Sequence, residues 1–140
     1  MAAETMMYET QVITTTRSSV KAYKILYWGF IILPFVAGLD KFFDLLTHWS
    51  VYLSPIVAHV IPAHVLMMIV GLIEMAAAVI VAVNPRIGGF VVAFWLWAII
   101  LNLLSIPAFY DVALRDFGLS LAALALAFLS EDYHGLPEAT

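Results

Sequence analysis

The 140-residue chain contains no cysteine. Disulfides, thiolate metal sites and thiol nucleophiles are thereby excluded, although the compartment is left open. Charge is scarce as well: 11% of the residues are charged, against 64% that are hydrophobic. A water-soluble domain of this size cannot bury so much apolar surface, so the composition belongs in a membrane. No histidine falls deep in an apolar run, which argues against a bis-histidine haem. There is no low-complexity tract and no internal repeat.

What remains are four apolar stretches, 22–46, 61–83, 87–106 and 108–129, each of the length of about 20 residues that a bilayer-spanning helix needs. Each connection carries a breaker. Asn84-Pro85-Arg86, followed by Gly88-Gly89, joins the second and third stretches, and Pro107 marks the end of the third. Pro34 and Gly38 predict a kink within the first. The pattern gives an all-α fold, an integral membrane bundle of four transmembrane helices. It reads as a polar N-terminal tail over 1–21, a transmembrane domain over 22–130 and a C-terminal tail over 131–140. Left free, the N-terminal tail is expected to be mobile.

Short flanks rich in Lys and Arg are retained on the cytoplasmic side. Arg17, Lys21 and Lys24 precede or open the first stretch, and Arg86 lies between the second and third, whereas 47–60 and the Pro107 connection have neither residue. Both termini are therefore expected in the cytoplasm. The N-terminal apolar run is long enough to span and lacks a small-residue cleavage site, so it is expected to stay attached as a signal anchor.

That topology gathers the charges of the apolar runs toward one leaflet. At about 1.5 Å per residue, Asp40 and Lys41 lie roughly 8 Å inside, Asn102 roughly 6 Å, Arg115 and Asp116 roughly 10 Å, and Glu74 near the middle. Asp44 and Asp111 fall closer to the interface, where water reaches them. With these two set aside, three acids face two cations, and protonation of Glu74, the deepest, balances the set. Two readings stay open. The cluster Asp40, Lys41, Glu74, Asn102, Asp111, Arg115 and Asp116 is either a ligand site or a network joining helices, with Lys41 and Arg115 paired to Asp40, Asp111 and Asp116. The (i, i+4) spacing of Asp111 and Arg115 suits the second.

Trp95 and Trp97, with Phe90 and Phe94, offer stacking surfaces for a flat ligand, or else face lipid and neighbouring helices. Trp28, Trp49, Tyr52, Tyr110 and Tyr133 read as interfacial aromatics. His48, His59 and His64 share one side but match no metal-ligand spacing, so no metal is expected. Gly118, Ala122 and Ala125 predict close approach of the fourth helix to a neighbour.

Val36-Ala37-Gly38-Leu39-Asp40-Lys41-Phe42-Phe43, Gly71-Leu72-Ile73-Glu74, Asn84-Pro85-Arg86-Ile87-Gly88 and Tyr110-Asp111-Val112-Ala113-Leu114-Arg115-Asp116 together resemble the DoxX-like membrane proteins, over about residues 22 to 130. The resemblance implies a four-helix protein of the bacterial inner membrane. Members of that family include a subunit of a thiosulfate:quinone oxidoreductase and others grouped with membrane oxidoreductase complexes.

Two functions of different class follow as expectations. One is an accessory subunit of a larger membrane oxidoreductase or electron-transfer complex, without catalysis of its own. The other is a quinone- or lipid-binding protein with a polar pocket in the outer leaflet, in which Glu74 hydrogen-bonds a quinone carbonyl. Ion or proton transport ranks below both, since broken helices in repeated halves are lacking. The expected partners are the lipid bilayer and other membrane subunits, and no nucleic acid. No covalently bound cofactor is expected.

Overall fold

The computed structural model describes residues 1–134, apart from the side chains at positions 14 and 15. Every regular element among them is helical: α1 (Ala2–Asp40), a 3₁₀ turn (Trp49–Tyr52), the short α2 (Pro55–Ala58), α3 (Ala63–Val83), α4 (Pro85–Leu104) and α5 (Tyr110–His134). Helices α1, α3, α4 and α5 are long and apolar enough to cross a membrane. The 3₁₀ turn and α2 fold the connection between α1 and α3 over one end of the bundle.

Local chemistry sets the helix boundaries. Between α3 and α4 the only residue is Asn84, in an extended conformation, whose side chain accepts the Ile87 N–H at 3.2 Å while Pro85 opens α4. An Asn N-cap followed by Pro at the first position starts a helix without delay. Gly88 and Gly89, which follow the breaker and fall within the expected 87–106 stretch, belong to the first turns of α4. Their role is packing: a Cβ on Gly88 would lie 2.6 Å from the Val81 backbone nitrogen, and one on Gly89 2.7 Å from the Ala123 carbonyl oxygen.

Helix α1 departs from expectation at both ends. It begins at Ala2, so the polar tail continues the helix. Threonine is a weak helix former, yet the hydroxyls of Thr5, Thr10 and Thr16 donate to carbonyls four residues earlier at 2.8–3.0 Å, which satisfies them within the helix. At its other end α1 stops at Asp40, six residues before the expected 46. The Asp40 carboxylate accepts the N–H groups of Leu45 and Leu46, both at 3.0 Å, and Asp44 takes a positive φ of 52°. These contacts turn the chain out of the helix although Phe42, Phe43, Leu45 and Leu46 continue the apolar run. The 39 residues of α1 extend about 58 Å, nearly twice the hydrocarbon thickness. At the far end of the chain, residues 131–134 continue α5, and 135–140 lie outside the described residues.

The four long helices form a ring. Helix α1 packs on α3, α3 on α4, α4 most extensively on α5, and α5 back on α1, with no comparable contact between diagonal pairs. One core fills the end where α1 is joined by the close of α5: Tyr23, Phe30, Ala77, Val81, Val92, Ala93, Ala123 and Leu126. A smaller one, Ile100, Leu103 and Ala113, lies beneath Tyr52 and Phe109 at the opposite end. Between the two cores the ring encloses a space.

On α5, the face that meets α4 is Ala123 and Ala127 against Gly89. Gly118, expected to mediate close approach, has nothing within 4 Å of an added Cβ, so it lies off the packed face.

Candidate functional site

Glycine against glycine places the first charged pair. A Cβ on Gly38 would stand 2.6 Å from the Gly71 carbonyl oxygen, and one on Gly71 2.5 Å from that of Gly38, so α1 and α3 touch backbone to backbone. Only glycine allows such an approach. One turn beyond it on each helix, Lys41 Nζ meets Glu74 Oε2 at 2.6 Å, and the two side chains are 4% and 12% exposed. Lys41 also donates to the Ala37 carbonyl at 3.4 Å and lies 3.7 Å from the centroid of the Trp49 ring. The ammonium is thus met by a carboxylate, a carbonyl and an aromatic face, the kind of enclosure that a buried cation requires.

Asp40 belongs to the wall behind this pair. Besides Leu45 and Leu46, it accepts the indole Nε1–H of Trp49 at 2.8 Å, and its cavity-side neighbour Lys41 turns to Glu74 instead. The expected pairing of Lys41 with Asp40, Asp111 or Asp116 is therefore corrected. A carboxylate already holding three N–H donors has little need of the ammonium. Glu74, expected to be protonated, has a cation as its partner.

On α5, Arg115 reaches its neighbour Asp116 at 3.4 Å, with side chains 68% and 8% exposed. The expected (i, i+4) pair with Asp111 is not formed, and Asp111 is exposed at the start of α5. Asn102 on α4 uses both ends of its amide on the connection: Oδ1 accepts the Ser54 N–H at 3.0 Å and Nδ2 donates to the Tyr52 carbonyl at 2.7 Å. It pins that connection over the end of the ring.

These residues surround a cavity of about 700 Å³, within the range of small-molecule sites. Its polar end carries Lys41, Glu74, Trp95, Asn102, Arg115 and Asp116, and its apolar walls include Leu26, Phe30, Met67, Val92 and Leu96. Two cations and two carboxylates line it, so the lining is formally neutral. Asp40, Asp111 and Trp97 are absent from the lining. Trp97 is 45% exposed and meets Phe117 edge to face at 5.7 Å, on the outside of the α4–α5 pair. Two residues apart on a helix means about 200° of rotation, so Trp95 and Trp97 cannot both face inward.

The indole Nε1 of Trp95 is buried and turned toward the Glu74 carboxylate, without a well-formed hydrogen bond to it. A buried N–H without a partner is costly and rare. Here it is directed at the polar end of the cavity.

Trp49 is the site residue that its sequence position hides, since an indole on a short connection reads as an interfacial anchor. The one available signal is its proximity to the Asp40-Lys41 pair at a helix end. Tyr133 is likewise more than an interfacial aromatic, for it stacks on Tyr23 at 4.3 Å and joins α5 to α1. Among the described residues no group of three potential metal ligands occurs, and His48 lies on the surface 3.9 Å from Asp44.

No family model, no curated protein and no solved structure matches this chain.

Proposed function

We propose that this chain is a multi-pass membrane protein that holds a lipid-soluble amphipathic molecule, a quinone or a lipid, in the cavity enclosed by its four long helices. The observation that carries the reading is a mostly apolar space of about 700 Å³ whose polar end presents the buried Trp95 N–H beside Glu74, without a well-formed hydrogen bond of its own. A quinone or ester carbonyl accepts such a donor. The neutral charge balance of the lining favours an uncharged head over an ion. The positive flanks support a cytoplasmic position for both termini, and with it a polar cavity end in the outer leaflet of a bacterial inner membrane.

Titration of the purified protein with decylubiquinone, followed by quenching of tryptophan fluorescence, tests the reading. Saturable binding of one equivalent is expected, weakened about tenfold in Trp95→Phe, the equivalent of one hydrogen bond in a dry site. Glu74→Gln, which breaks the ion pair at the polar end, is expected to weaken it as well. Absence of saturable binding for both the quinone and phospholipid would overturn the proposal.

A second reading, an accessory subunit of a membrane oxidoreductase or electron-transfer complex, is favoured by the first half of α1. There Met6, Met7, Tyr8, Val12 and Ile13 are 46–69% exposed, a run of apolar side chains along a helix that leaves the bundle. The resemblance to DoxX-like proteins points the same way. Extraction from native membranes in mild detergent distinguishes the readings: co-purification at fixed stoichiometry with cofactor-bearing subunits supports the second, and a particle of this chain alone opposes it.

A further inference from the structure

The cavity is not closed equally on all sides. Where its lining comes from α3 and α4 the residues other than Ala98 are buried or half-buried, with Met67 9%, Val92 5% and Leu103 1% exposed. Along the seam between α1 and α5 the lining residues also face outward: Ile25 is 74% exposed and Leu33 65% on α1, with Leu119 38% on α5. The seam is closed at one end, where Tyr23 stacks on Tyr133. Above that contact lies Gly29, which lines the cavity and has nothing within 4 Å of an added Cβ.

We infer that the cavity is filled sideways from the bilayer, through the seam between α1 and α5, by a molecule whose long apolar tail stays in that seam while its carbonyl-bearing head reaches Trp95 and Glu74. The inference rests on the proposed binding role of the cavity and adds the route and the shape of the occupant. Twelve residues of α1 separate Gly29 from Lys41, about 18 Å along the helix. This span accommodates a head and the first part of an acyl or isoprenoid chain. The seam is lined by Ile25, Leu33 and Leu119, surfaces that a hydrocarbon tail contacts without desolvating any polar group. An aqueous route is less suited, because the polar end is roofed by the connection that Asn102 holds.

The test compares two probes, decylubiquinone and the same quinone head without a tail, on the wild type and on Gly29→Leu, in lipid nanodiscs. A Cβ at position 29 meets open space, and a leucine there is expected to extend into the seam. The tailed probe is expected to lose about tenfold in affinity, the effect of one displaced apolar contact region, while the tail-less head changes by less than about twofold. Leu119→Trp, which narrows the seam from the α5 side, gives a second variant with the same expected pattern. Gly118→Leu, on α5 but outside the cavity lining, is expected to change neither. If Gly29→Leu and Leu119→Trp leave the tailed probe unaffected, or weaken both probes alike, the lateral route is overturned while binding in the cavity stands. If the wild type binds neither probe, nor phospholipid, both fall.

Discussion

The Trp49 indole serves two opposite charges at once: its Nε1–H donates to Asp40 at 2.8 Å, and its ring face lies 3.7 Å from the Lys41 ammonium. The side chain thereby fastens the connection after α1 to the charged end of the helix. Trp49→Phe keeps the aromatic face and removes the donor, whereas Trp49→Leu removes both. The thermal midpoint in detergent is expected to fall for each, and further for Leu. Equal losses would mean that the ring face contributes nothing.

The Lys41–Glu74 pair is nearly buried, so breaking it from one side leaves an uncompensated charge. Glu74→Leu and Lys41→Met, made singly, are each expected to destabilise the fold by about 3–5 kcal/mol, and the double variant to recover most of that loss. Unfolding measured for all four proteins of the cycle gives the coupling directly. Additive losses would show that the two groups act independently.

Glycine positions separate packed from open faces. Gly71→Val must push α1 away from α3 and is expected to lower the thermal midpoint strongly, because the added atoms meet the Gly38 carbonyl and the Lys41 and Phe42 side chains. Gly118→Ala meets nothing and is expected to stabilise by about 0.5–1 kcal/mol through helix propensity. Parallel thermal scans of the two variants check the contrast.

The helices were legible in the sequence because hydrocarbon imposes a length and proline and asparagine mark the breaks. The expected 61–83 and the observed Ala63–Val83 differ by two residues. The end of α1 was not legible: the terminator is a side chain, Asp40, that captures backbone five and six residues ahead, while the apolar run continues past it. In the candidate site, Lys41, Glu74, Asn102, Arg115 and Asp116 were gathered by topology alone. Their pairing was not, because which face of α1 meets α3 is decided by the contact of Gly38 with Gly71, a matter of rotation rather than of depth. The choice between Trp95 and Trp97 follows from helical rotation once one inward residue of α4 is known.

The absence of cysteine makes topology simple to measure. Single cysteines introduced at Ser50 and at Glu131, in an otherwise cysteine-free chain, are expected to react oppositely with a membrane-impermeant maleimide added to intact cells. Position 50 is labelled and position 131 is protected, if the Lys and Arg flanks hold both termini inside. The reverse pattern would place the polar end of the cavity toward the cytoplasm.

The most direct test of the account is the small-molecule content of the protein purified from native membranes in mild detergent, determined by native mass spectrometry and by organic extraction. The account predicts about one equivalent of a tailed quinone or lipid per chain, reduced in Trp95→Phe. A chain that carries no such molecule, and takes up neither decylubiquinone nor phospholipid when these are supplied, would contradict it.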